Sequence, residues 1–148
     1  MAPHRLLLAL SAICFVCACF SPALSFRIFS SNPAEYHLET QRGGNYLLIG
    51  WLGLLVGQFA WFANPCWLGG SLLLLWGRPV IARVLMGVAL IFALTTFTLR
   101  GKQLPHDEGN VTQMVLQSLL PGFYLWTAAI VPALLSALLW PSPASSSH

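Results

Sequence analysis

Side chains able to move protons or hold a metal fall in two short stretches. Glu35, His37 and Glu39 occupy alternate positions, so an extended backbone would turn all three to one face. His106, Asp107 and Glu108 follow one another directly. These residue types suit a divalent metal or a hydrolytic step. Neither stretch carries a spaced ligand pattern such as His-Glu-x-x-His, so the reading adopted is two solvated loops. No enzyme activity, catalytic residue, cofactor or metal is therefore expected. A joint site would need both loops on the same side of the fold. Cys14, Cys17 and Cys19 lie in an apolar run and Cys66 in another. Oily surroundings oppose thiolate formation, and these cysteines read as small apolar side chains rather than a redox or metal pair.

The elements that must position these groups follow from composition. Of 148 residues, 57% are hydrophobic and 7% charged, against about 25% charged in soluble domains. Such a chain cannot cover a water-exposed surface, which points to an all-α integral membrane bundle of four to five transmembrane segments with the lipid bilayer as its surroundings. Seven Lys and Arg against four acids give a net charge of +3, too sparse and scattered for a phosphate-binding stripe, so no nucleic-acid partner is expected.

The first apolar segment, residues 6–26, follows His4 and Arg5 and holds no charge; as a helix it would cover about 31 Å, one hydrocarbon thickness. It also carries signal-peptide features, with Ala23-Leu24-Ser25 permitting cleavage before Phe26; an uncleaved helix is preferred, and a lipid attachment at Cys17 or Cys19 fits poorly. Between Arg42 and Arg78 the chain runs 35 residues without a charge, or about 52 Å as one helix, which overshoots a bilayer. It must turn, and Asn64-Pro65 is the expected corner, giving segments 46–63 and 65–76. The second is short enough either to cross a thinned bilayer or to re-enter. Residues 79–99 and 119–140 supply two more spans, with Arg83 near enough to an end to reach the headgroups. Polar loops are expected over 27–45 and 100–118, with turn signals at Asn32-Pro33 and Gly43-Gly44, and a disordered tail over 141–148. Basic residues divide three against four whether the short segment crosses or re-enters, so the positive-inside bias is balanced.

Small residues mark candidate packing faces. Gly50, Gly53 and Gly57 would share one side of the second helix, and Ala129, Ala133 and Ala137 step by four along the last, which makes the two stripes candidate mutual partners. Pro132 should kink that last helix. The six tryptophans cluster toward segment ends, as interface anchors do, Trp61, Trp67, Trp76 and Trp140 most clearly. Polar side chains at membrane depth are few and none is ionisable near mid-span. Gln58, Asn64, Thr95, Thr96 and Thr98 are the candidate lining if the chain were a passive channel or carrier component. The preferred function is structural or accessory, through helix packing with itself or with a larger membrane protein.

Gly50-Trp51-Leu52-Gly53, Trp61-Phe62-Ala63-Asn64-Pro65 and Gly122-Phe123-Tyr124-Leu125-Trp126 give the chain, over about residues 46–140, an aromatic and apolar patterning that resembles small multi-pass inner-membrane proteins of bacteria with no assigned activity. The resemblance implies location in a bacterial inner membrane and carries no functional residue with it.

Overall fold

A computed structural model describes residues 2–29, 36–105 and 112–141. The elements run α1 (Pro3–Phe20), β1 (Pro22–Phe29), β2 (Tyr36–Arg42), α2 (Gly43–Ile49), α3 (Ala63–Leu75), α4 (Pro79–Leu94), β3 (Gln103–Pro105), β4 (Gln113–Leu119) and α5 (Pro121–Leu139), with 3-10 turns over Gly50–Val56, Ala60–Phe62 and Thr95–Leu99. Three helical stretches, Pro3–Phe20, Pro79–Leu99 and Pro121–Leu139, are long and apolar enough to cross a membrane.

Proline starts each of these. Pro3, Pro79 and Pro121 sit at the first helical positions, where the missing amide costs nothing. Proline also ends α1: Ser21, held extended at ψ 151° before Pro22, hands the chain straight into β1. Helices α1, α3, α4 and α5 alternate in direction and pack side by side. Ser136 Oγ donates to His4 O (2.7 Å), Ser11 Oγ to Ala129 O (2.6 Å) and Arg83 Nε to Ala137 O (3.0 Å), which fixes α1 and α4 antiparallel to α5. Trp67 Nε1 donates to Ser11 Oγ (2.9 Å) while its ring stacks on Phe15 at 4.2 Å, drawing α3 into the same interior.

That interior is built from small side chains. Ala82, Ala89, Ala129, Ala133 and Ala137 are all 0% exposed, whereas Ile13, Val84, Ile91 and Leu139 on the same helices are about 60% exposed. Alanine supplies much of the helix contact around the buried Leu74, Met86 and Ile130, while most of the large apolar groups point outward.

One end of the bundle carries an antiparallel sheet in the order β2-β1-β4-β3. Phe26 lies opposite Glu39 on one side and Leu116 on the other, with register shifts between Pro22 and Leu24 and between Ser25 and Phe26. Every junction between sheet and helix, at residues 21, 43, 100–102 and 120, falls at this end. The turn at 76–78 and the contact between the rings of His4 and Trp140 (4.4 Å) fall at the other. Gly122 lets α5 start against the α1–β1 junction, because a Cβ there would lie 2.7 Å from Pro22 O.

The all-α expectation is thus corrected: the segments read as polar loops contain the sheet, and the first apolar segment stops being helical at Phe20 rather than Phe26. Its apolar run continues because Ala23, Leu24, Phe26 and Ile28 of β1 are buried. The expected helix 46–63 is also replaced. α2 and its 3-10 extension form an arm that turns back at Gly57–Phe59, and Asn64-Pro65 lies in the first turn of α3 instead of at a corner. No residue of this arm is buried, and Leu48 and Leu55 are 77% and 83% exposed. The turns at Asn32-Pro33, the residues Glu35, His106, Asp107 and Glu108, and the tail over 142–148 lie outside the described residues.

Candidate functional site

Between the sheet, the arm and the adjoining ends of α1 and α5 lies a pocket of about 500 Å³, within the range of about 300–1,000 Å³ typical of ligand sites. Its walls are apolar and aromatic. β1 contributes Leu24, Phe26 and Ile28 from one face, with Ala23 added where the register shifts at the start of the strand. Phe123 and Trp126 stand on the first turns of α5, and Trp126 Nε1 donates to Asn64 Oδ1 (2.8 Å), tying α5 to the start of α3.

The arm closes the remaining side. Gly50 allows the return strand of the arm to fold back, since a Cβ there would fall 2.6 Å from Trp61 Cδ1, and Trp61 Nε1 then donates to Leu47 O (3.1 Å). A Cβ on Gly53 would likewise crowd Gln58, and Gln58 N donates to Gly53 O (2.8 Å) across the turn. Gly57 has φ +71° and closes the turn in the left-handed region that glycine adopts freely. The three glycines therefore do not share one face of a helix. Gly50 and Gly53 line the pocket, and a Cβ on either would meet only the arm's own return strand, Trp61 and Gln58.

The expected alanine partners sit elsewhere. Ala129, Ala133 and Ala137 are enclosed within the bundle, with Ala133 among Ala63, Trp67, Met86 and Ile130 and Ala137 beside Leu74 and Ala82. Of the five candidate lining residues, Gln58, Asn64 and Thr96 reach the pocket and Thr95 and Thr98 do not. Gln58 Nε2 donates to Thr95 O (3.2 Å) while Thr95 Oγ1 lies 2.9 Å from Gln58 Oε1, and Thr98 Oγ1 donates back to Thr95 O (2.7 Å). Thr96 Oγ1 is buried without a hydrogen-bond partner. Trp67, expected at an interface, is a buried core side chain at 8% exposure, whereas Trp76 at 71% sits at the end away from the sheet.

Sequence reasoning missed one polar feature. β2 turns Glu39 and Gln41 toward the pocket, where Gln41 Nε2 hydrogen-bonds Glu39 Oε1. His37 shares their parity on the strand but is exposed and does not line the pocket. Among the described residues Glu39 is the one charged side chain lining the pocket, and Tyr46 from α2 stands with it. Burial, and then the negative charge of Glu39, push the Tyr46 phenol well above its ordinary range. The alternation of Glu35, His37 and Glu39 could have signalled a strand with one inward face; the polar and turn residues on either side made the stretch read as a solvated loop. No group of three His, Cys, Asp or Glu able to hold a metal forms among the described residues.

Compared with protein-family models, curated proteins and solved structures, the chain matches none. Its chemistry must be read from its own geometry.

Proposed function

We propose that the protein is a small multi-pass integral membrane protein of a bacterial inner membrane. Helices α1, α3, α4 and α5 lie in the bilayer, and the sheet stands in water on one face. Its role is accessory, exerted by packing against a second copy or a larger membrane protein. The observation that carries this reading is the number of Leu, Ile and Val side chains exposed along the bundle, over helix contacts rich in alanine: lipid tails tolerate large apolar side chains, and close helix contact favours small ones. The exposed apolar arm supports an interfacial position beside the sheet, because its Leu48 and Leu55 would otherwise face water. Helix α3 is about 20 Å long, short for a span unless the preceding turn and a locally thinned bilayer add to it.

Retention of α1 is part of the proposal. Cleavage before Phe26 would cut the central strand of the sheet and remove the partner of Ser136 and Trp67. A conduit finds little support, since Gln58 and Thr95 satisfy each other and Asn64 holds Trp126.

The test is membrane extraction together with side-specific labelling, after the native cysteines are replaced by serine. Alkaline carbonate should leave the chain in the pellet, and His37→Cys and Gln117→Cys should react with an impermeant maleimide from one and the same side. Release into the carbonate supernatant, or labelling of the two positions from opposite sides, overturns the reading.

A further inference from the structure

The pocket has a chemical character that packing alone does not require. Its aromatic walls include Phe26, Tyr46, Trp61, Phe123 and Trp126, and Glu39 is a carboxylate with no Lys or Arg among the described residues lining the same space. Aromatic faces attract cations electrostatically, and a carboxylate at the edge of an apolar site supplies the counter-charge. An anionic head would meet the Glu39 carboxylate, so fatty-acid heads and phosphate heads without a cationic group of their own are disfavoured. The entrance has a matching character. Ile49, Leu52 and Val56 of the arm line the pocket and are at the same time exposed, which makes one rim continuous with the oily outer surface of the protein.

We propose that this pocket binds a lipophilic cation, an organic ammonium or related onium compound whose apolar body lies among Phe26, Trp61, Phe123 and Trp126 and whose charge faces Glu39. Such a head can belong to a free lipophilic amine or to an ethanolamine lipid. Entry along the apolar rim rests on the membrane reading above; binding itself does not, and is measured in micelles.

The full chain, purified in a neutral detergent, is titrated with tetraphenylphosphonium and with tetraphenylborate, two ions of the same shape and opposite charge, with tryptophan fluorescence and equilibrium dialysis as readouts. The cation should bind at least tenfold more tightly. Glu39→Gln should lower its affinity roughly tenfold, the loss expected when a charge-assisted contact becomes neutral, and should strengthen binding of the borate ion, from which a like charge has been removed. Ala60→Phe, which fills the pocket from the arm, should weaken the cation while the unfolding midpoint stays within a few degrees. Equal affinities for the two ions, or a Glu39→Gln protein that binds the cation as well as the parent chain, overturns the proposal. Competition by phosphatidylethanolamine but not phosphatidylglycerol in the micelles assigns the head to a lipid; no competition by either assigns it to a free amine. Release into the carbonate supernatant with retained cation selectivity would defeat the membrane reading alone.

Discussion

The middle of the bundle and its sheet end both rely on small residues, and they use them to opposite effect. In the middle, alanines at 82, 89, 129, 133 and 137 bring helices into contact and leave nothing between them. At the sheet end, Gly50 and Gly53 let a short arm fold back on itself, and a space of about 500 Å³ stays open beneath it. Small side chains thus specify closeness, and the neighbouring element decides whether that closeness fills the interior or encloses a hollow. A rigid helix facing alanine gives a dry seam; a bent arm facing a sheet gives a pocket.

Enlarging an interior alanine tests the dry seam most severely. Ala133→Leu should destabilise the protein by about 1–3 kcal/mol through overpacking, read as a lower denaturation midpoint in micelles; an unchanged midpoint would mean that the seam is not closely packed. Ser11→Ala should cost about 1–2 kcal/mol by the same measurement, because it removes the acceptor of Trp67 Nε1 and the donor to Ala129 O in a buried place. Gly50→Ala should cost about 1 kcal/mol or less, since Trp61 can shift within an arm that buries no residue. Its clearer effect should be on Trp61, as a change in tryptophan emission without global unfolding.

The pH response belongs to the sheet end. The Tyr46 phenol is raised above the ordinary 10.0 by burial first and Glu39 second. The folded state therefore holds a proton that the unfolded chain releases, so this contribution is complete below pH 10 and is lost progressively as pH rises above it. Tyr46→Phe should flatten the alkaline side of the stability profile, measured as denaturation midpoint against pH. Leu55→Ser, on the exposed crest of the arm, should change stability by no more than about 0.5 kcal/mol while weakening association with vesicles, and a large loss of stability would show that the arm packs more deeply than its exposure suggests.

The helical part of this architecture was legible because runs of apolar residues framed by Pro3, Pro79 and Pro121 leave few alternatives. The sheet was not. β1 is apolar on its buried face and follows α1 with one residue between, so composition alone merges the two; only Pro22 marks the change, through its effect on Ser21. The corner was misplaced for a related reason. Asn64-Pro65 carries a strong breaking signal, yet proline is equally at home in a first helical turn, and the turn falls at Gly57, where φ is positive. Gln58 and Asn64 could be singled out as polar groups in an oily stretch, but not the convergence of Glu39 with Tyr46 and Trp61, because that depends on strand parity and on the arm folding back.

The pairing of α1 with α5 has a consequence for biosynthesis. His4 and Ser136, joined by a hydrogen bond, are 132 residues apart in the chain, and the central strand that follows α1 waits for β4 as its second neighbour. Helix α1 can complete its contacts only after α5, more than a hundred residues later in the chain, has been made. Until then an oily helix and an open strand edge must be kept from water and from other chains.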